Sequence, residues 1–311
     1  MVATAFGGPE VLAVVDVPVR QPGPGEVVVA VRAIGVNPGD WWAYSGRLGS
    51  DPSTLPLRLG LEAAGVVVAT GGEVTGPAGP VSVGDEVIAC RVDGAYAGTL
   101  VVPAEAVVPK PPTLSFTEAA ALLVSGTTAF HALMATGVEP GNIVVVHGAS
   151  GGVGLMAVQL AVASGARVIG TAGEGHHAAL RELGAEPVTY GPGLADRLRR
   201  LAPDRVDAVV DAVGTDEAID ASLPLVRHPR QVATLAGFGR GRAAGIQLLG
   251  RVPGADPGTA VRAAARLDVA RRAAVGELVV RVARCYSLED AAAAHRESAA
   301  GHPGGKLVLV P

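Results

Sequence analysis

The chain has 311 residues and a formal net charge of −4, with 49% hydrophobic and 17% charged residues. This length is typical of two domains, and the hydrophobic content excludes intrinsic disorder for most of the chain. The charge excludes a general electrostatic attraction to nucleic acid or to an anionic membrane. Two cysteines, Cys90 and Cys285, are too few for a disulfide scaffold or a structural zinc cluster. Because no apolar run reaches the roughly 18 residues of a membrane span and no signal peptide is recognisable, we expect a soluble, reduced, cytoplasmic protein.

Residues 1–112 have the pattern of short β-strands separated by turns. Apolar runs that suit strands occur at 27–34, 65–69, 86–90 and 99–102. Segments rich in proline and glycine lie between them, and helical periodicity is confined to the neighbourhood of Trp41–Ser45. We therefore predict a mainly β, partly closed barrel over this part of the chain.

The second part of the chain alternates strands with helices. It begins at Ser115, whose spacing to Glu118 is typical of a helix-capping box. Strands are predicted at 142–147, 167–171, 206–211 and 231–236, and helices at 153–164, 177–183 and 259–275. Alternation of this kind, with strands apolar on both faces, predicts a parallel sheet covered by helices in an α/β fold.

Two strand patterns at the end of the chain are predicted to rejoin the β part. They are Leu278–Val282 and Lys306–Val310. The predicted domains are therefore 1–112 with 259–311, for the substrate, and 113–258, for a dinucleotide.

The most informative segment is the glycine-rich turn Gly148–Gly154, which lies between a predicted strand and a predicted helix. A turn in this context lets backbone N–H groups and the positive end of the helix bind a diphosphate without obstruction by side chains. We expect Gly148 to permit the sharp turn and Gly151 and Gly152 to let the ligand approach. Gly154 is expected to let the helix pack on the sheet.

Ser150 allows a second interpretation of the same turn. Gly148-Ala-Ser-Gly-Gly152 matches the nucleophile elbow of hydrolases, in which Asp211 and His295 would be the partners of Ser150. A hydrolase gives no reason for the fourth glycine or for a separate β domain in front, so we favour the dinucleotide site. Ser150 and Val153 then belong to the phosphate-binding turn, in which Ser150 is a hydroxyl or backbone donor.

The end of the next predicted strand indicates which dinucleotide is bound. A carboxylate at this place hydrogen-bonds the adenosine ribose and repels a 2′-phosphate. Ala172 stands where that acid is expected, and Thr171 and His176 or His177 are candidates to meet a phosphate. The alternative for the histidines is an exposed helix start, and Glu174 is interpreted as pointing to solvent. We therefore predict NADPH rather than NADH.

The segment Leu235–Gly239 ends another predicted strand at the carboxyl edge of the sheet. Cofactors bind at this edge in parallel sheets. Gly237 and Phe238 are therefore predicted neighbours of the nicotinamide.

Six motifs occur in an order that resembles one enzyme superfamily. They are Phe6-Gly-Gly-Pro-Glu-Val-Leu12, Gly35-Val-Asn-Pro-Gly-Asp40, Gly60-Leu-Glu-Ala-Ala-Gly65, Val83-Gly-Asp-Glu-Val87, Ser125-Gly-Thr-Thr-Ala129 and Gly301-His-Pro-Gly-Gly-Lys306. Together they resemble the medium-chain dehydrogenase/reductase superfamily, specifically its zinc-independent quinone oxidoreductase branch. The resemblance covers nearly the whole chain and implies a Rossmann-type parallel sheet domain with a discontinuous, GroES-like domain.

The resemblance also implies chemistry without a metal. Zinc-dependent members carry a cysteine where this chain has Asn37 and a histidine where it has Leu61, and neither replacement binds Zn²⁺ usefully. Without a Lewis acid an alcohol is hard to deprotonate, whereas a conjugated acceptor takes hydride at carbon and spreads the charge onto a carbonyl oxygen. The implied substrates are small planar or conjugated carbonyl compounds, namely quinones, enones and enoyl thioesters.

Catalytic residues are also implied by the resemblance. Asn37 and Asp40 would line the hydride-transfer site and Thr128 would lie near the nicotinamide, although Asn-Pro-Gly-Asp is also a good turn and helix cap. Trp42 replaces a tyrosine or lysine of many relatives, and an indole is not a practical proton source. Tyr44 is a possible replacement. With Trp41, these aromatic residues form either the core of a short helix or a stacking wall for a planar acceptor.

Three further features follow from the resemblance. Tyr190 resembles a tyrosine that contacts the nucleotide, and Ile246–Leu249 resembles an edge strand used for homodimer formation. Gly76–Ser82 is longer than usual and is interpreted as a surface loop.

The predicted function is hydride transfer from NADPH to a quinone or α,β-unsaturated carbonyl, without a metal. The alternatives are a pathway-dedicated enoyl reductase of the polyketide type and a catalytically silent nucleotide-binding protein.

Overall fold

The computed structural model of the chain describes residues 1–301 and 304–311. Its backbone divides into two units, one made of Met1–Val124 with Arg266–Pro311 and the other of Ser125–Ala265. The boundaries predicted from the sequence, after residues 112 and 258, lie somewhat earlier in the chain. His302 and Pro303, which belong to the last of the six motifs, lie outside the described residues.

Strands and helices are numbered in chain order. The strands are β1 (Val2–Ala3), β2 (Leu12–Ala13), β3 (Glu26–Gly35), β4 (Leu57–Arg58), β5 (Glu62–Thr70), β6 (Val74–Gly76), β7 (Gly79–Val81), β8 (Glu86–Cys90), β9 (Thr99–Pro103), β10 (Val107–Pro109), β11 (Ile143–His147), β12 (Arg167–Thr171), β13 (Ala185–Val188), β14 (Ala208–Asp211), β15 (Val232–Thr234), β16 (Gln247–Leu248), β17 (Val282–Ser287) and β18 (Lys306–Val310). The helices are α1 (Pro38–Tyr44), α2 (Phe116–Ala120), α3 (Leu123–Ala135), α4 (Gly152–Ala163), α5 (His177–Glu182), α6 (Leu194–Leu201), α7 (Asp216–Ser222), α8 (Phe238–Ala244), α9 (Thr259–Ala274) and α10 (Ala291–Ala300). Within the described ranges, no helix has the length and apolar character needed to cross a lipid bilayer.

The first unit is built on a mainly antiparallel sheet. Its strand order is β10-β8-β5-β3-β18-β17, and β9 also pairs with β3. Strand β3 is central, and its Val27 and Val29 are fully buried in one core cluster with Leu309 of β18. Strand β18 pairs antiparallel with β3, with Leu309 opposite Ile34, so the last strand of the chain completes the sheet of its first unit.

One local prediction in this unit is wrong. The predicted strand Leu278–Val282 is not formed, because the ladder with β18 begins only at Val282 and continues through mostly exposed residues to Ser287. Pairing of the backbone with β18, rather than the side-chain pattern, decides where β17 begins. The segment Gly76–Ser82, interpreted as a surface loop, contains no buried residue and carries the turn of the short hairpin β6–β7, with Val74 opposite Val81.

The second unit contains a parallel sheet with the strand order β13-β12-β11-β14-β15-β16. Val144, Val145 and Val146 of β11 are fully buried, as expected for a strand covered by helices on both faces. From β11 the chain first adds β12 and β13 on one side and then returns to add β14, β15 and β16 on the other side. The carboxyl end of β11 is therefore the switch point at which open parallel sheets bind ligands. The parallel sheet and the separate β-rich unit agree with the predicted fold class.

Candidate nucleotide site and buried polar cluster

The glycine-rich turn leaves β11 and enters α4 as predicted. Gly148 has a φ of +68°, a left-handed conformation that favours glycine. A Cβ atom on Gly154 would lie 2.1 Å from the carbonyl oxygen of Gly148, so the turn itself requires this glycine, rather than contact between helix and sheet as predicted. A Cβ atom on Gly151 would meet only that oxygen, at 3.4 Å, which is an ordinary contact.

The start of α4 is open to an anion. Its N-cap, Gly151, supplies no side-chain hydrogen bond to the first N–H groups of the helix. Gly151, Gly152 and Val153 are partly exposed, whereas Ser150 is buried. Orphan N–H groups at a helix start, with no side chain in the way, are the arrangement that binds phosphate groups. The residues of this turn therefore fit a dinucleotide.

A chain of buried side chains supports the turn. Ser222 Oγ donates to the carbonyl oxygen of Ala218 at 2.6 Å, so it accepts from His147 Nε2 at 2.8 Å. His147 Nδ1 then accepts from the Thr171 hydroxyl at 3.1 Å, and Thr171 Oγ1 accepts from the N–H of Gly148 at 3.3 Å. Burial lowers the pKa of His147, which agrees with a neutral ring. Thr171, a candidate to meet a phosphate, therefore uses its hydroxyl hydrogen to hold the turn.

Asp211, at the carboxyl end of β14, holds two neighbouring loops. Its Oδ1 accepts from the N–H groups of Val213 at 3.0 Å and Gly214 at 2.8 Å. Its Oδ2 accepts from the Thr234 hydroxyl at 2.6 Å, and Thr234 Oγ1 accepts from the N–H of Gly237 at 2.8 Å. Gly237 is thereby fixed at the carboxyl edge of the sheet, immediately before Phe238 at the start of α8.

The other residues predicted to meet the nucleotide surround the carboxyl end of β12. A Cβ atom on Gly173 would lie 3.7 Å from the hydroxyl of Tyr190, which is 44% exposed. His176 is partly exposed before α5, whereas His177 donates from Nε2 to the carbonyl oxygen of Ala172 at 3.2 Å. His176, Tyr190 and the exposed Glu174 are therefore polar side chains that this strand end presents.

The structure contradicts the hydrolase interpretation of Ser150. Both carboxylate oxygens of Asp211 are engaged by loop N–H groups and by Thr234. Both ring nitrogens of His295 lie within hydrogen-bond distance of tyrosine hydroxyls. Neither side chain is available to activate a serine nucleophile, and the alternative is discarded.

In the first unit, Asn37, Glu62 and Lys306 form a buried cluster. The Lys306 ammonium donates to the carbonyl oxygen of Val36 at 2.5 Å and to Asn37 Oδ1 at 2.7 Å, and it lies 3.1 Å from Glu62 Oε1. The Asn37 amide donates to the carbonyl oxygen of Gly35 and to Glu62 Oε1, each at 3.2 Å. Both amide hydrogens of Asn37 are therefore used, and none is left to stabilise an oxyanion. The geometry makes Asn37 a residue that positions the start of α1.

Asp40 begins a second buried chain, which we call the tyrosine–histidine chain and which consists of Asp40, Tyr96, His295 and Tyr44. Asp40 Oδ2 accepts from the N–H of Asn37 at 2.8 Å and from the Tyr96 hydroxyl at 3.0 Å. The Tyr96 hydroxyl lies 2.8 Å from His295 Nε2, and the Tyr44 hydroxyl lies 2.7 Å from Nδ1. Asp40 Oδ1 is buried and has no hydrogen-bond partner in the described part of the chain.

Burial shifts the pKa values of this chain. It raises the pKa of Asp40 to about 7, against the N–H of Asn37, the charge of Lys306 and the Tyr96 hydroxyl, which all lower it. Burial also lowers the pKa of His295 to about 4. At neutral pH the imidazole is therefore uncharged, and Asp40 is divided between acid and carboxylate. A carboxyl group with such a pKa suits proton transfer near neutral pH.

Of the aromatic residues of α1, Trp41 and Trp42 are half-buried and Tyr44 is buried, and a stacking wall for a planar acceptor stays a prediction. The rings of Trp41 and Trp42 meet edge to face, with centroids 5.8 Å apart and an interplanar angle of 83°. The guanidinium of Arg47 lies 5.5 Å from both ring centroids. Tyr44 is 1% exposed and stacks on the His295 ring, so it belongs to the core. Thr128 is buried within α3.

A zinc ion does not fit the donor set of this unit. Residues 1–301 and 304–311 contain no group of three or more His, Cys, Asp or Glu side chains that could hold a metal ion. At the positions where the resemblance places zinc ligands, this chain has Asn37 and Leu61. The ammonium of Lys306, between Asn37 and Glu62, already supplies the positive charge there.

The sequence patterns do not reveal the buried cluster or the tyrosine–histidine chain as a whole. Tyr96 was missed, and Glu62, His295 and Lys306 were not assigned to a common site. Lys306 did carry a signal, because it is one of only two lysines and begins an apolar strand, where a charge needs a partner. Nothing local marks Tyr96, which lies in the loop between β8 and β9.

Family models match both units. Residues 23–112 match the alcohol dehydrogenase GroES-like domain, and residues 152–250 match the zinc-binding dehydrogenase model. These matches confirm the predicted combination of a GroES-like domain with a Rossmann-type domain.

Similar proteins include two kinds of curated relative. The human synaptic vesicle membrane protein VAT-1 homolog is 36% identical over 69% of this chain and 55% of its own length, so the chain spans about half of that relative. The quinone oxidoreductase of Pseudomonas aeruginosa is 35% identical over 99% of this chain and 98% of its own length.

Two solved structures are similar to this chain over its whole length. An NAD-dependent alcohol dehydrogenase has a TM-score of 0.85 at 32% identity, covering 100% of this chain and 98% of its own. The Escherichia coli quinone oxidoreductase complexed with NADPH has a TM-score of 0.84 at 29% identity, covering 100% of this chain and 99% of its own. The chain therefore belongs to the quinone oxidoreductase family of the medium-chain dehydrogenase/reductase superfamily, a family of oxidoreductase enzymes.

Proposed function

We propose that the chain is an NADPH-dependent reductase that transfers hydride to a quinone or an α,β-unsaturated carbonyl compound without a catalytic metal. The observation that carries the proposal is the turn after β11, in which Gly148 has a left-handed conformation and no side chain caps the first N–H groups of α4. Similarity to a quinone oxidoreductase along almost its full length, and to one complexed with NADPH, supports it. NADPH, when bound, supplies the hydride.

The residues proposed to hold NADPH fall into three groups. The turn residues 148 and 150–154 would bind the diphosphate, and His176 with Tyr190 would meet the adenosine end. Gly237 and Phe238 would lie near the nicotinamide, with Thr128. Preference for NADPH over NADH is supported by Ala172, which stands where a carboxylate that repels a 2′-phosphate is expected, while the nearby Glu174 is exposed to solvent.

Metal independence is supported by the cluster around Lys306. Its ammonium has three acceptors, from Val36, Asn37 and Glu62, so it holds the cluster together and has no hydrogen left for a substrate. A site without a strong Lewis acid favours conjugated acceptors over alcohols. We therefore propose a conjugated carbonyl compound as the substrate.

We also propose a homodimer formed through the edge of the parallel sheet. The predicted edge segment Ile246–Leu249 contains β16, which is the terminal strand in the order of that sheet. Terminal strands offer unpaired backbone groups to a partner. The cytoplasmic location expected from the cysteine content stays a prediction.

The test is oxidation of NADPH, and separately of NADH, followed by absorbance in the presence of EDTA. The acceptors are p-benzoquinone, phenanthrenequinone, an alkenal and a crotonyl thioester. We expect acceptor-dependent oxidation that is faster with NADPH and unaffected by EDTA. Activity with the thioester alone would identify an enoyl reductase, and binding of NADPH without turnover would identify a silent binding protein. Loss of activity in EDTA with recovery on adding Zn²⁺ would refute metal independence.

A further inference from the structure

We propose that α7 couples two parts of the nucleotide site, with Glu217 positioning the loop that carries Tyr190 and Ser222 positioning the glycine-rich turn. The inference rests on the proposed function, which assigns the adenosine end of NADPH to Tyr190 and its diphosphate to that turn. It identifies two positioning residues, and all the contacts that carry it lie within the second unit.

The loop that carries Tyr190 is closed by an arginine. This Tyr190 loop, residues 189–193, connects β13 to α6. The guanidinium of Arg197 in α6 donates to three carbonyl oxygens of the loop, those of Thr189 at 3.0 Å, Gly191 at 2.8 Å and Pro192 at 2.7 Å. Because three oxygens converge on one planar cation, the loop has a fixed shape, and the half-exposed ring of Tyr190 moves with it as a whole.

Glu217 attaches the Tyr190 loop to α7. Its Oε2 accepts from the N–H of Gly191 at 3.0 Å. Glu217 is half-buried in the first turn of the helix, where a carboxylate interacts favourably with the helix dipole. The helix therefore stabilises the carboxylate in the position from which it binds the loop.

Ser222, the last residue of α7, reaches the glycine-rich turn through two side chains. Its hydroxyl accepts from His147 Nε2 at 2.8 Å and donates to the carbonyl oxygen of Ala218, one helical turn earlier, at 2.6 Å. His147 Nδ1 accepts from the Thr171 hydroxyl, whose oxygen accepts from the N–H of Gly148. Every hydrogen in this chain has an acceptor, so the order of donors and acceptors is determined. A change at Ser222 is therefore passed on to the turn.

The middle of α7 is anchored on the parallel sheet. Ile219 is fully buried in one core cluster with Val145 of β11 and Ile169 of β12. It also lies against Gly237, since a Cβ atom there would be 2.7 Å from Ile219 Cδ1. A helix packed in this way moves as one body, so a displacement at Glu217 is also felt at Ser222.

Hydrogen exchange of the protein without nucleotide tests the coupling. Exchange of the amides in residues 147–154 and 189–193 is followed by mass spectrometry in the wild type and in Glu217→Ala, which lacks the acceptor of the Gly191 N–H. We expect exchange about fivefold faster or more in both segments, although Glu217 contacts only the second. Asp216→Ala, which removes an exposed carboxylate from the same helical turn, is the matched control and should change neither segment. Faster exchange confined to residues 189–193 would overturn the inference.

Fluorescence titration with NADPH tests the consequence for binding. We expect Glu217→Ala and Ser222→Ala each to raise the Kd about tenfold, with kcat at saturating NADPH within about twofold of the wild type, because the hydride leaves from the other end of the cofactor. Glu217→Gln keeps an oxygen that accepts from Gly191 and should recover most of the affinity. Because both changes release the same helix, the double variant should raise the Kd about 20-fold, rather than the roughly 100-fold of independent effects.

The outcomes separate the inference from the proposed function. A wild-type protein that does not bind NADPH would refute the function, and the role of α7 in nucleotide binding with it. Wild-type affinity of Glu217→Ala, or independent effects in the double variant, would refute only the inference. The exchange experiment uses Glu217→Ala alone, so it decides even where loss of the buried Ser222 hydroxyl unfolds the protein.

Discussion

Replacing Gly154 by alanine is expected to destabilise the nucleotide-binding unit, whereas replacing Gly151 is expected to weaken NADPH binding. The Cβ atom added at 154 would lie 2.1 Å from the Gly148 carbonyl oxygen and 2.8 Å from Ala149 Cα, both backbone atoms. Contacts below 3.0 Å essentially do not occur for Cβ atoms, so the turn must shift. At Gly151 the nearest atom is 3.4 Å away, and the added methyl group would project into the space proposed for the diphosphate.

The expected magnitudes follow from these distances. Overpacking costs about 1–3 kcal/mol, and we expect the upper end at Gly154 because backbone cannot move aside as a side chain can. The higher helix propensity of alanine offsets about 1 kcal/mol of this. The net loss of about 2 kcal/mol corresponds to a fall in Tm of about 4–8 °C for a unit of this size. For Gly151→Ala we expect less than about 1 kcal/mol from the altered N-cap, and a Kd for NADPH raised at least about tenfold.

Thermal unfolding and fluorescence titration with NADPH measure the two effects separately. Gly98→Ala is the matched control, because a Cβ atom there has no neighbour within 4 Å and the residue lies in the other unit. A Gly154→Ala protein with the wild-type Tm would show that the turn relaxes at no cost. A Gly151→Ala protein with wild-type affinity would show that the diphosphate does not bind at this backbone.

Three further predictions concern the first unit. Lys306→Met leaves the Glu62 carboxylate buried without its cation and should lower the free energy of unfolding in urea by about 3–5 kcal/mol, with partial recovery when Glu62→Gln is added. Gly35→Ala would place a Cβ atom 2.2 Å from the carbonyl oxygen of Ala120 and 2.5 Å from Glu62 Oε1 and should cost about 1–3 kcal/mol, so an unchanged urea midpoint would contradict these contacts. The pKa of Asp40 is raised from 3.8 to about 7, so its contribution to the stability of the protein increases as the pH falls through 7. The pKa of His295 is lowered from 6.5 to about 4, so its contribution decreases as the pH falls through 6.5. Relative to wild type, Asp40→Asn should therefore lose about 1.4 kcal/mol more per pH unit between pH 7 and 4, and parallel curves would mean that Asp40 ionises normally.

Much of the second unit could be predicted because its signals are local. Strand β12 was predicted with its observed bounds, since a parallel strand buried on both faces reads as an apolar run. The boundaries of the two units do not coincide with the predicted domain boundaries, for a physical reason. One falls after Val124, inside α3, and the other after Ala265, inside α9. A continuous helix has no turn or change in composition at such a point.

The candidate site also has one part that the sequence predicts and one part that it does not. The turn Gly148–Gly154 is one contiguous segment, and its glycine spacing is sufficient to predict its shape. The tyrosine–histidine chain joins Asp40, Tyr96 and His295, which are brought together only by the pairing of strands and the packing of α10. Thr171 shows an intermediate case, because the pattern places it at the end of β12 but does not reveal that its hydroxyl turns inward to His147.

The two lysines show how composition and geometry act together. Of 25 lysine and arginine residues, only Lys110 and Lys306 are lysines, and both are buried. Each ammonium lies about 3 Å from a glutamate oxygen and donates to a backbone carbonyl oxygen, so several acceptors converge on one nitrogen. A planar guanidinium spreads its donors over a fork and cannot replace a compact ammonium in such a position. The other cationic positions therefore hold arginine because the composition of the chain favours it. Lys110 and Lys306 are lysines because their surroundings require a compact ammonium. Lys306→Arg, although it keeps the charge, should destabilise the protein in urea nearly as much as Lys306→Met, and wild-type stability of that variant would contradict this account.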